Sequence, residues 1–433
     1  MNGCLWHGGE IMTGQQAIDL IHERSWVGRK PGLERTQALL ARMGNPERSL
    51  KYVHITGTNG KGSTAAMVAS VLSAAGYRTG LFTSPHLYRF HERMQVDGVP
   101  IPDEALGRLT EQVLGLAEGM EDHPTEFELM TAVGMAYFAE CKCDIVVLEV
   151  GLGGRLDSTN VIPAPEVAAI TNIGLEHTKE LGNTITEIAR EKAGILKLGC
   201  SCVLYHQGEE AEQVFERTCA EMDIPLVKTA SDTLKVLSSD LEGQSFSYRN
   251  SGPYRISLIG KYQLYNAAVA IDIITALRSR GWTISEEALL RGLKESRWPG
   301  RMELVRRAPD FLVDGGHNPQ CVDALMDALE ELFPHKKLLF LTGVLADKDW
   351  QGMMRRAMPL AKAFVTVTPD SPRALEGEKL AGWLREQGFE ATSCATAEEG
   401  VDRVLSMAGP DDVICSWGSL YAVGLIRHHL GLC

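Results

Sequence analysis

The chain reads as an α/β protein of two domains, each built on a largely parallel sheet. Short β-branched runs alternate with amphipathic stretches of helical period along most of its length, which is the pattern of βα units. The strand-like runs fall into two series separated by ESRWPGR, residues 295–301, where Pro299-Gly300 breaks helix and strand alike. A length of 433 residues, with 44% hydrophobic and 23% charged side chains, suits a globular chain of two to three domains of roughly 150 residues each.

The first series predicts strands over Tyr52–Thr56, Thr79–Thr83, Asp144–Val150 and Val167–Thr171. The second predicts Phe311–Asp314, Lys337–Thr342, Ala363–Thr368, Glu390–Cys394 and Val413–Ser416, joined by helices of ten or more residues, with Ala397–Met407 between the last two. The domains are therefore expected at 1–296 and 297–433. From about 200 to 253 the pattern loosens into short strand-like pieces and polar turns, read as a small β-rich appendage to the first domain. There is no internal repeat and no low-complexity tract.

The charge sum of −13 argues against a general nucleic-acid or acidic-membrane surface, so any anionic ligand must meet a local site. No apolar run reaches the ~18 residues that span a bilayer, and MNGCLWHGGE carries neither a basic nor an apolar leader region; a cytoplasmic place is expected. The ten cysteines are scattered. The pairs Cys141/Cys143 and Cys200/Cys202 lack the second cluster that a tetrahedral metal site needs, and Cys433 is not a prenylation box.

The strongest local signal is HITGTNGKGST, residues 54–64. A strand ends at Thr56, Gly57, Gly60 and Gly62 allow close backbone approach, Lys61 follows, and a helix opens at Ser63-Thr64 and runs through Ala75. Backbone N–H groups and a helix N-terminus then aim at one spot, the way proteins cradle phosphates. Thr58, Asn59, Gly60, Lys61, Gly62 and Ser63 are the candidate ATP contacts. The loop departs from the common G-x-x-x-x-G-K-[ST] pattern, with Ile55 in place of the first glycine and Gly62 in place of the hydroxyl residue that usually holds Mg²⁺. A metal bound beside ATP must then take hard oxygens or imidazole from elsewhere. Glu149, the lone carboxylate near the end of DIVVLEV, stands where a nucleotide-binding sheet keeps a metal-directed acid, and His177 of NIGLEH follows the next strand. Lys192 of REKAGI lies one helix further on.

Taken in order, TGTNGKGS, LFTSPHLYRFHERMQVDG, LEVGLGGRLDSTN, TNIGLEH, EKAGI, GKYQLYNAAVA, PGRME and DGGHNP resemble the folylpolyglutamate synthases, the folate-directed branch of the Mur ligase superfamily. DKD after TGVLA and WGSLYAVG extend the likeness over nearly the whole chain. The resemblance implies a P-loop-like ATPase domain joined to a Rossmann-like, glutamate-binding domain. It implies an ADP-forming ligase that joins a folate carboxylate to the amine of L-glutamate. It also implies two Mg²⁺ ions held by Ser84, Glu149 and His177, a carbamate on Lys192 made from CO₂, and nucleotide contacts from Asn266, Arg301 and Asp314. Lys61, Lys192, His177 and Glu149 are the implied catalytic set. Arg89 of the loop at residues 84–98 and Phe127 of TEFELMT would approach the folate, and His317 and Ser419 the glutamate.

Gly316 stands where Ala is usual and Glu176 where Asp is usual, but no charged or ligating group is lost. Members of the family also attach the first glutamate to dihydropteroate, and a bifunctional enzyme is the first expectation, ahead of a monofunctional dihydrofolate synthase. A peptidoglycan-type Mur ligase usually carries a further N-terminal domain, whereas about fifty residues precede this loop. A non-catalytic nucleotide-binding module would not need Glu149, His177, Arg301 and Asp314 together. The partners expected are ATP, a folate or dihydropteroate, and L-glutamate, acting on a monomer.

Overall fold

The computed structural model describes residues 12–24 and 31–432. MNGCLWHGGE and Cys433, which bear on the expectations about a leader and a lipid box, lie outside them. Among the described residues no helix is long and apolar enough to cross a membrane.

The first sheet has eight strands: β1 (Tyr52–Thr56), β2 (Thr79–Phe82), β3 (Met94–Val96), β4 (Val99–Pro100), β5 (Ile145–Glu149), β6 (Val167–Ile170), β7 (Ser201–Leu204) and β8 (Leu226–Lys228). Their spatial order is β4-β3-β2-β5-β1-β6-β7-β8, parallel throughout except for the β2-β3-β4 edge. Strands β1 and β5 are buried at all five positions because helices cover both faces of the sheet, which is why they read as unbroken apolar runs. The side chains still alternate between two cores. Val53, Ile55 and Val147 pack with the helices Lys61–Ala74 and Lys261–Ser279, while Tyr52, Val146 and Leu148 pack with Asp103–Ala117 and Glu126–Glu140 on the opposite face.

A separate antiparallel sheet of β9 (Lys235–Asp240), β10 (Gly243–Tyr248) and β11 (Ser251–Ile256) follows. The appendage is thus smaller than expected. Residues 201–228 form a βαβ unit that extends the main sheet, with β7 parallel to both β6 and β8. Their helix, Glu209–Glu221, buries a stripe of Ala211, Phe215 and Cys219 beside Glu212.

The second sheet contains β12 (Glu303–Arg306), β13 (Asp310–Val313), β14 (Leu338–Thr342), β15 (Ala361–Thr366), β16 (Ala391–Ser393) and β17 (Val413–Trp417), in the order β12-β13-β17-β14-β15-β16. It is parallel apart from the edge strand β12, which the sequence reading lacked. All the strands expected from sequence are present with ends within two residues of the predicted ones. One connecting helix is shorter than foreseen, Trp350–Ala357 between β14 and β15.

Candidate active site

The order β2-β5-β1-β6 sets four strand ends side by side, and Lys61, Ser84, Glu149 and His177 each follow or end one of them. The glycine loop follows β1, Ser84 follows β2, Glu149 ends β5 and His177 comes after β6. The chain leaves β1 toward β2 on one side and reaches β6 on the other, so this edge is the switch point of the sheet.

In the loop, Gly60 has φ 87° and caps a helix that begins at Lys61, two residues earlier than expected. The left-handed backbone and the Asn266 amide beside it both require glycine, since a Cβ here would lie 2.4 Å from Asn266 Oδ1. Ser63 is buried and its Oγ receives the Gln263 amide at 3.2 Å. Lys61 Nζ donates to the carbonyls of Gly57 and Thr58, both at 3.2 Å. The Thr58 N–H donates to Asn172 O at 2.7 Å, and its hydroxyl exchanges hydrogen bonds with Gly174, so the β1 and β6 loops are zipped together.

Gly62, the departure from the common loop, has a structural cause. A Cβ there would stand 2.6 Å from Cζ2 of Trp298, whose indole comes from the segment between the two sheets. Gly62→Ser, which would restore the usual hydroxyl, is expected to cost about 1–3 kcal/mol by overpacking and to lower the urea midpoint. The same serine added to Trp298→Ala should cost little. A Gly62→Ser protein as stable as wild type would contradict this account.

Lys192 is 4% exposed and its Nζ donates to Gly57 O at 2.7 Å. Burial, and then the like charge of Lys61, lower its pKa to about 7. A pocket at this edge is lined by Lys61, Lys192, Glu176 and His177 together with residues 56–58 and 150–153. Beside it Glu149, 4% exposed, accepts the Ser84 N–H at 3.1 Å. Burial raises the pKa of Glu149 against the opposing pull of Lys61, that N–H and Arg301.

A buried carboxylate held up in this way calls for a cation, and the carboxylate, hydroxyl and imidazole of Glu149, Ser84 and His177 are donors suited to a hard divalent ion. Among the described residues no three His, Cys, Asp or Glu side chains cluster closely enough to form a site by themselves. The set therefore fits an ion that completes its shell with hydroxyl, water or substrate phosphate, as Mg²⁺ does.

The second domain closes over this edge. Asp314, 3% exposed, accepts the N–H groups of Gly316 (2.6 Å) and Met302 (2.8 Å) and the hydroxyl of Tyr262 (3.3 Å). Burial raises its pKa, with Arg301 opposing. His317 Nδ1 lies 2.9 Å from Gly315 O and its Nε2 is 3.7 Å from Glu176. A backbone bond from Gly418 to Gly316 O (3.0 Å) sets the Ser419 loop alongside that of His317. The Ser419 hydroxyl is buried without a hydrogen-bond partner.

Of the folate-side candidates, Phe127 reaches the margin of the pocket. Phe127 packs edge-on against Phe82 and lies over Gly151. Arg89 is exposed, and it is Arg93 that turns inward, its Nε donating to His86 Nδ1 at 2.8 Å. Between them Glu92 accepts the backbone N–H groups of Leu87, Tyr88 and Arg89.

Sequence reasoning also gave no role to Glu176 or Lys348. Their ion pair, 3.0 Å long, joins the β6 loop to the second domain. Burial alone would raise the pKa of Glu176, but His317 and Lys348 hold it down at about 2. The DKD tripeptide containing Lys348 was the only signal for it.

Comparison with known proteins adds to this geometry. Residues 55–274 match the Mur ligase middle domain and residues 300–420 the Mur ligase glutamate ligase domain. Over 431 residues the chain is 38% identical to the dihydrofolate synthase/folylpolyglutamate synthase of Bacillus subtilis, covering 96% of this chain and 99% of that one. A Mycobacterium tuberculosis folylpolyglutamate synthase structure with ADP and AMPPCP superposes with a TM-score of 0.87 at 32% identity, covering 96% of this chain and 98% of that one. Escherichia coli FolC in complex with DHPP and ADP gives 0.86 at 28% identity, covering 97% and 98%.

Proposed function

The chain belongs to the Mur ligase family, in its folylpolyglutamate synthase and dihydrofolate synthase branch, and from that premise we propose how its residues carry the reaction. It is an ATP-dependent, ADP-forming ligase that adds L-glutamate to folates through an acyl phosphate and releases phosphate. Attachment of the first glutamate to dihydropteroate is its second activity. The observation that carries this reading is the convergence of four neighbouring strand ends bearing Lys61, Ser84, Glu149 and His177, with the buried Lys192 at the same edge.

A carboxylate acylates amines poorly at neutral pH, so one of its oxygens first bonds to the γ-phosphorus of ATP. The bond from that phosphorus to the β–γ bridging oxygen breaks, and ADP leaves. This transfer asks for fixed positive charge and positioning more than for acid or base groups. Lys61 neutralises the β- and γ-phosphates; residues 58–63, Asn266, Arg301 and Asp314 orient the nucleotide. Ser84, Glu149 and His177 hold magnesium, two ions in all, which supplies further charge neutralisation when bound. The Lys192 carbamate is the remaining anion of that edge. Phe127 and Arg89 border the folate. His317 and Ser419 hold L-glutamate, whose amine, once deprotonated, attacks the acyl carbon. A C–N bond forms and phosphate departs with one of the original carboxylate oxygens. Residues 1–296 bind ATP and the folate, residues 297–433 bind glutamate, and the enzyme works as a cytoplasmic monomer on these small molecules.

Phosphate release measured with each acceptor, with and without glutamate, tests the assignment; release only with dihydropteroate would mark a monofunctional dihydrofolate synthase. With ¹⁸O in the folate carboxylate, one labelled oxygen is expected in inorganic phosphate. Label in AMP with release of pyrophosphate would mean adenylation instead.

A further inference from the structure

Outside the reacting groups, the contact most unlike ordinary loop packing is the one the second domain makes with Asn59. The Asn59 Nδ2 donates to Gln320 Oε1 at 3.1 Å, while its Oδ1 accepts from Asn318 Nδ2 at 3.0 Å and from Cys321 Sγ at 3.1 Å. These partners lie about 260 residues away in sequence, at the N-cap and on the first turn of the helix Pro319–Leu332. Asn318 is itself fixed, because its Oδ1 caps that helix by accepting the Cys321 N–H. Gln320 also lies against Gly174, where a Cβ would be 2.1 Å from its Oε1. The loop after β6 is in turn bridged to Asn59 through Asn172. One exposed side chain of the second domain therefore touches both loops that frame the phosphate and metal edge.

We propose that Gln320 is a positioning residue which, through Asn59 and against Gly174, holds the glutamate-binding domain in register with the nucleotide loop. The proposal rests on the functional reading above and deepens it. Gln320 touches no reacting atom in this account; it acts through Asn59, whose amide serves the second domain as well as the nucleotide loop. A neutral hydrogen bond of this kind is worth about a threefold to tenfold change in an equilibrium, small enough to leave the fold intact and large enough to measure.

The test is a double-mutant cycle on the full-length enzyme with Gln320→Met, Asn59→Ala and the pair. Gln320→Met is expected to raise the KM for glutamate about threefold to tenfold while the KM for the folate acceptor stays within about twofold. Adding Gln320→Met to Asn59→Ala should then change little. A wild-type KM for glutamate in Gln320→Met, equal rises in both KM values, or strictly additive effects would overturn the proposal. The same cycle on the urea midpoint, without substrates, reads the contact itself. If wild-type protein releases no phosphate with any folate acceptor, the functional reading fails, and non-additivity of the midpoints still decides whether the Asn59–Gln320 contact couples the domains.

Discussion

Glu149→Gln and His177→Ala are each expected to lower the ligation rate by at least about 10³-fold, roughly 4 kcal/mol of transition-state stabilisation, in proteins that still fold. Each removes a donor at a strand end and neither removes core packing. For Glu149 the sign of the stability effect is fixed by its environment. Burial raises its pKa above the ordinary 4.5, so the folded chain holds the proton to higher pH than the unfolded chain does. The contribution of this carboxyl to stability is retained at low pH, falls as pH rises from about 4.5 through the folded value, and is at its worst above that value. Glu149→Gln should therefore match or exceed the wild-type thermal midpoint at neutral pH in the absence of nucleotide and metal. Wild-type protein should gain stability when MgADP is added, and the variant should lose the part of that gain that depends on Mg²⁺. A variant with near-wild-type turnover at saturating Mg²⁺, or with an undiminished metal-dependent gain, would remove Glu149 from the ligand set.

The parts of this arrangement that were legible in the sequence share one physical trait: each is a polar or charged residue at the end of a fully buried apolar strand. Glu149 closes IVVLE, the glycine loop closes YVHIT and His177 lies beyond VAAI. Such residues stand out because their neighbours are dictated by burial on two faces. Their lateral order did not stand out. Strand β5 lies between β1 and β2 although it follows them by many residues, and no local pattern encodes that insertion. Contacts between domains were equally hidden, since Glu176–Lys348 and Asn59–Gln320 join positions 172 and 261 residues apart. The inward turn of Arg93 was hidden as well, in a loop where Glu92 accepts the backbone N–H groups of residues 87–89. Gly62 looked like a lost metal ligand until Trp298, a residue of the segment read only as a boundary, accounted for it.

Lys192→Ala is expected to be inactive, and a short carboxylic acid in the buffer is expected to restore part of the activity by occupying the vacated anionic position. The geometry supplies the conditions for reaction with CO₂. The lysine is buried, donates to Gly57 O at 2.7 Å and has a pKa lowered to about 7, by burial first and by the charge of Lys61 second. An ordinary lysine, with a pKa of 10.5, is almost wholly protonated at pH 7, so Lys192 offers about 10³-fold more free amine than a surface lysine. Its nitrogen lone pair bonds to the carbon of CO₂, a proton passes to water, and the product is an anion. That anion is favoured beside the Lys61 ammonium and a divalent ion, where a second ammonium would be repelled. Because only the neutral amine reacts, reactivation by CO₂ should quicken as pH rises through about 7 and level off above it. Enzyme freed of CO₂ should lose activity and regain it with bicarbonate, and ¹³CO₂ should give a carbamate carbon signal that is absent from Lys192→Ala. Full activity in rigorously CO₂-free buffer, or a Lys192→Ala enzyme as active as wild type, would return Lys192 to the status of a buried lysine that hydrogen-bonds the loop.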